Sequence, residues 1–168
     1  MNIAEKSMPS QVLQSQPSTA KAFVSLLRAH AAATRQLNAQ LNAEHGLTIS
    51  DFEVLLRLAR APESRMRRVD LAGELLLTAS GMTRLLDGLE RAGFVERGGC
   101  PEDRRVVYAV LTDEGLAKLR EAAVTHFEQV DDLFGGRFDE HELDELAALL
   151  SRLCGSEPAE CAPPSEDG

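Results

Sequence analysis

The stretch that decides the fold begins Arg68-Val69-Asp70-Leu71-Ala72-Gly73-Glu74-Leu75-Leu76-Leu77-Thr78-Ala79-Ser80-Gly81-Met82-Thr83-Arg84. It continues to Thr112 through Gly99-Cys100-Pro101-Glu102-Asp103-Arg104-Arg105. Val69, Leu71, Ala72, Leu75 and Leu76 give a short amphipathic helix over Arg67 to Leu77. Thr78 is a good N-cap for a second helix, Ala79 to Ala92, which buries Met82, Leu85, Leu86 and Leu89 and is stopped by Gly93. Ala72 lets the two helices cross closely. The bend falls on Leu76 or Leu77 where glycine is common, and a left-handed Leu is costly, so a wide turn is expected.

Phe94-Val95-Glu96-Arg97 and Val106 to Leu111 read as two strands joined by the long, arginine-rich tip. A helix pair followed at once by such a hairpin has the order of a winged helix-turn-helix. That fold lays one helix in the DNA major groove and a loop arginine in a neighbouring minor groove. Ala79, Ser80, Gly81, Thr83 and Arg84 form the small, polar, exposed face of the second helix, and Thr78, Ser80, Gly81, Thr83 and Arg84 are its expected DNA contacts. Small side chains let a helix sink into the groove, and free backbone N–H groups at its start meet phosphates.

Working outward, Phe23, Leu26, Leu27, His30, Thr34, Leu37 and Leu41 recur at helical steps until Gly46. Ser50-Asp51-Phe52-Glu53 reads as a capping box for a helix ending at Ala61-Pro62. A helix from Thr112-Asp113-Glu114 to about Phe134 has acids at its positive end. Gly135-Gly136 interrupts it. A last helix places Leu143, Leu146, Leu149, Leu150 and Leu153 on one face. The expected fold is mainly α with a small β-hairpin wing. Residues 1–19 read as a disordered arm, 20–154 as the folded domain and 155–168 as a disordered acidic tail.

The net charge of −9 is unevenly spread. Residues 57–105 hold ten basic side chains, all Arg, against eight acids; residues 106–168 hold four against fifteen. The reading module is thus the only positive third, and Arg suits bidentate contacts to phosphate and guanine. No run of about 18 apolar residues exists and the first residues lack the apolar centre of a secretory signal, so a cytoplasmic protein off the membrane is expected. The three cysteines (Cys100, Cys154, Cys161) form no disulfide framework or paired metal motif. No phosphate loop, dinucleotide fingerprint or nucleophile motif is present, so neither a cofactor nor catalysis is expected.

Cys100-Pro101-Glu102-Asp103-Arg104-Arg105-Val106 and Leu111-Thr112-Asp113-Glu114-Gly115 resemble the wing of the MarR family of regulators. Leu71-Ala72, Thr83 to Glu90 and Gly93-Phe94-Val95 agree. The resemblance covers about Ala20 to Leu153. It implies a homodimeric, ligand-responsive regulator of double-stranded DNA, most simply a repressor on a palindromic operator. Residues 20–46 and 113–154 would supply the dimer helices, and 50–112 the winged helix-turn-helix. The family's Asp-x-Arg pattern falls on Asp103 and Arg105. It implies that Arg105 enters the minor groove while Asp103 shapes the wing through a salt bridge; Arg104 is left to meet phosphate. The resemblance also implies a small-molecule pocket lined partly by the first helix, where His30 or Arg35 would meet an acidic or phenolic effector. A satisfied interface histidine is the competing reading of His30. Glu44-His45 resembles part of a zinc site, but His126 lacks a second histidine one turn away, so no metal is expected. Cys100 reads as an incidental surface thiol rather than a redox sensor. The rival class is a winged-helix protein-interaction module, favoured by the acidic pI near 4.9.

Overall fold

In the computed structural model, residues 17–75, 77–99 and 106–154 are described. The order is α1 (Ser18–His45), α2 (Ile49–Arg60), a 3₁₀ turn (Pro62–Ser64), β1 (Arg65–Arg67), α3 (Arg68–Glu74), α4 (Ala79–Arg91), β2 (Val95–Gly99), β3 (Val107–Leu111), α5 (Asp113–Gly135) and α6 (Glu140–Cys154). The chain divides into two compact units, Met1–His126 and Phe127–Gly168.

Gly46 ends α1 in the left-handed conformation, φ 68°, and its N–H bonds back to Asn42 and Leu41. The capping box of α2 is not the expected one. Thr48, not Ser50, is the cap: Asp51 N–H donates to its Oγ1 at 3.1 Å, and its own N–H donates to Asp51 at 2.8 Å. Both spacings satisfy orphan N–H groups. The helix starts two residues earlier because Ile49 joins the partly buried side chains packed on the core.

β1 was not anticipated. Arg-Met-Arg has no β-branched residue, and its strand form comes from pairing with β3, Arg65 opposite Val110 and Arg67 opposite Tyr108. The expected hairpin is therefore the outer part of a three-stranded antiparallel sheet in the order β1-β3-β2. Glu63 and Ser64 turn the chain into β1 with φ of 54° and 51°, backbone that costs non-glycine residues about 1–2 kcal/mol each. The following helix starts at Arg68 and stops at Glu74, shorter than the Arg67–Leu77 expected. Leu75 closes it with φ −90°, and Leu77 N–H bonds to Ala72 O at 3.0 Å. That is a wide turn; Leu76 lies outside the described residues.

The core of the first unit joins Leu41, Phe52, Leu55, Leu58, Leu71, Met82, Leu86 and Leu89 with Val95, Ala109 and Leu111 of the sheet. Burying each Leu or Phe stabilises the fold by about 1.5–3 kcal/mol. The base of the wing is tied to the start of α5. Thr112 Oγ1 donates to Gly93 O at 2.7 Å and accepts from Gly115 N–H at 3.0 Å. Gly115 packs so closely that a Cβ there would collide with the Phe94 carbonyl oxygen. Phe52 lies against His126, ring centroids 4.5 Å apart, and burial lowers the pKa of that imidazole below its usual 6.5. In the second unit, Asp139 and Glu142 exchange side chain-to-backbone bonds of 3.0 and 2.9 Å at the start of α6. Phe134 meets Phe138 there at 6.4 Å.

Candidate nucleic-acid interface

α4 is fixed by one face and offers the other. Met82, Leu86 and Leu89 are buried, whereas Ser80, Thr83 and Arg84 are exposed at helical spacing. Thr78 caps the helix: its Oγ1 accepts from Gly81 N–H at 3.1 Å and lies 3.2 Å from Ser80 Oγ. Gly81 keeps this first turn slim, since a Cβ would stand 3.2 Å from Thr78 Oγ1. Thr83 donates back to Ala79 O at 2.8 Å, which fixes its rotamer. Arg84 has no ion-pair partner among the described residues and stands free to meet an anion or a base edge.

The wing is anchored to the same helix by Arg97 of β2. Its Nη2 lies 2.8 Å from Asp87 and its Nε 2.7 Å from Glu90, both on α4. The hydrogen bond to Glu90, then the charge of Glu90, raises the Arg97 pKa. Strand and helix are thus linked through charge-assisted bonds, and the two acids that face the wing are neutralised. Arg97 was not singled out from the sequence. Its partners lie seven and ten residues earlier, across a helix end, a spacing that no local pattern marks.

Three arginines cluster where β1 meets α3. Arg65 pairs with Glu63 at 2.5 Å and lies 5.1 Å from the centre of the Tyr108 ring. Arg67 pairs with Asp70 at 2.5 Å, and that bond raises its pKa. Arg68 lines a groove of about 450 Å³ between α3, α4 and β3. Asp103, Arg104 and Arg105, together with Cys100, lie outside the described residues. His30 and Arg35 are exposed on α1 and do not line the groove at Arg68. Glu44 and His45 do converge, on Thr125 Oγ1, at 3.3 and 2.8 Å, but no group of three metal-ligating side chains forms among the described residues.

Residues 47–107, the span of this helix-turn-helix and the start of β3, match the MarR family. The crystal structure of AbsC, a MarR family transcriptional regulator from Streptomyces coelicolor, superposes with a TM-score of 0.75 at 31% identity, over 84% of this chain and 95% of AbsC. The chain belongs to the MarR family. Two more relatives agree. The repressor YetL of Bacillus subtilis is 35% identical over 111 residues, 66% of each chain. Sco3205 of Streptomyces coelicolor, a MarR family regulator solved in complex with DNA, is 27% identical with a TM-score of 0.76, over 89% of this chain and 96% of its own. This MarR-family chain is accordingly a winged-helix transcription regulator. No helix among its described residues is long and apolar enough to cross a membrane.

Proposed function

We propose that the chain is a homodimeric, cytoplasmic repressor that grips a palindromic operator and lets go when a small acidic or phenolic effector binds. The observation that carries DNA binding is α4: its buried face fixes the helix, and its free face presents Ser80, Thr83 and Arg84, the last with no ion-pair partner among the described residues. Those side chains enter the major groove, with Thr78 and Gly81 bringing the helix start to the backbone. Arg105 takes the neighbouring minor groove, Arg104 a phosphate, and Asp103 shapes the wing through a salt bridge to an arginine. Relatives support this reading, since Sco3205 was solved with DNA bound.

Dimerisation follows from apolar side chains left facing water. Phe23 on α1 is 61% exposed, and Leu153 on α6 is 71% exposed, with Leu27, Leu149 and Leu150 beside them in the sequence pattern. A second copy covers both sets and places two α4 helices about one DNA turn apart. His30 and Arg35, exposed on α1, are the polar groups offered to the effector. Effector binding releases DNA only if it favours the dimer geometry whose α4 spacing misfits the operator.

The test is fluorescence anisotropy on DNA from upstream of the protein's own gene, in a salt series with competitor. One dimer per site is expected, and Arg84→Ala or Arg105→Ala is expected to weaken it by about 1–3 kcal/mol each. Failure to bind any duplex in a random-sequence pool overturns the reading and leaves a winged-helix module that binds protein.

A further inference from the structure

We propose that the groove between α3, α4 and β3 seats the sugar–phosphate ridge of the DNA, with Arg68 as the residue that holds its phosphate. The inference rests on the DNA-binding reading above. A helix in a major groove and a wing in the adjacent minor groove are separated by the one backbone ridge that divides those grooves. The concavity between that helix and the base of that wing must take the ridge. Here it is the groove lined by Met82 and Thr83 of α4, Val107 of β3, and Arg68 and Val69 of α3.

Its chemistry suits a deoxyribose-phosphate. Val69 is 74% exposed although it is apolar and β-branched, and Val107 is exposed as well. These are the walls that a sugar, the apolar part of the backbone, packs against. Arg68 is half-buried, and its Nη2 is shut off from water without a hydrogen-bond partner among the described residues. Arg68 nonetheless lines the groove, and a phosphate oxygen seated there takes a charge-assisted bond from its guanidinium once the side chain turns toward it. Arg65 and Arg67 are already committed to Glu63 and Asp70. Of the three arginines at this corner, Arg68 alone has no acidic partner among the described residues.

A phosphate contact carries no sequence information, and that separates it from Arg84. The experiment compares the full chain with Arg68→Gln, Arg68→Lys and Arg84→Ala. The probes are a duplex selected by the wild type from a random-sequence pool and an unselected random duplex. Arg68→Gln is expected to weaken both duplexes by the same factor and to flatten the slope of log affinity against log salt by about 0.9. Arg68→Lys is expected to keep the slope, and Arg84→Ala to lose discrimination between the duplexes. A methylphosphonate scan of the selected duplex reads the wild type directly. One neutralised phosphate, between the major groove read by α4 and the minor groove beside it, is expected to weaken wild-type binding and leave Arg68→Gln unaffected. The inference is overturned if the wild type binds but Arg68→Gln keeps its affinity and slope, or if no phosphate at that position is sensitive. If the wild type binds no duplex, the DNA-binding reading itself has failed.

Discussion

α4 and α6 are amphipathic helices of similar length with opposite fates for their apolar faces. In α4, Met82, Leu86 and Leu89 are at most 2% exposed. In α6, Leu149 and Leu150 are exposed and Leu153 reaches 71%. The difference separates two jobs. A helix whose apolar face is satisfied within its own chain is a rigid platform for its polar face. A helix whose apolar face is left in water needs a partner from elsewhere.

The sharpest way to break that contrast is to truncate both sides of it. Leu86→Ala is expected to destabilise the fold by about 2–5 kcal/mol, read as a lower urea midpoint, because a cavity opens in a closed core. Leu153→Ala removes little that the chain itself buries, and is expected to move the chain's own stability by only about 0.5 kcal/mol. Its larger effect is expected on assembly. Leu149→Glu combined with Leu153→Glu is expected to shift the protein to monomer in sedimentation equilibrium and to make Tm independent of concentration. A double variant that sediments as the wild type does would show that α6 is not covered by a second copy.

Smaller effects sharpen the platform side. Thr78→Ala removes the acceptor at the start of α4 and is expected to cost about 0.5–2 kcal/mol in urea unfolding. DNA affinity should fall with it if that helix start meets the backbone. The smallest expected effect is the pH response of His126. Its folded pKa lies below 6.5, so the unfolded chain takes up the proton first as pH falls. The stability from its neutral ring is full above 6.5, is lost as pH drops through 6.5 toward the folded value, and the loss levels off below that value. Urea midpoints of wild type and His126→Gln, compared at about pH 7.5 and about pH 5.5, check this; the wild type should lose more on acidification. An equal loss in both would remove His126 from the account.

The contrast also shows what was legible beforehand. The exposed polar face of α4 was legible in the sequence, because a Thr cap, a 3.6-residue apolar period and a Gly stop are signals between close neighbours. The leucine face of α6 was equally visible, but periodicity marks a face without saying what covers it. Arg97 and Arg68 were missed for a common reason. Arg97 is paired with acids on another element, Arg68 has no acidic partner among the described residues, and neither state is written near the residue in the sequence.

What the sequence determined by itself is therefore local. It set the helices of the reading module, the caps at Gly46 and Thr78, the stop at Gly93, the hairpin after it and the positive charge of this third of the chain. Interactions among residues a few positions apart suffice for each of these. The tertiary structure decided the rest. It made Arg65–Arg67 a strand by laying it on β3, chose Thr48 over Ser50 as the cap of α2, bound β2 to α4 through Arg97, and opened the groove at Arg68. Each of these depends on groups brought together by packing, or on competition between two neighbouring local signals that burial of the flanking side chains resolves.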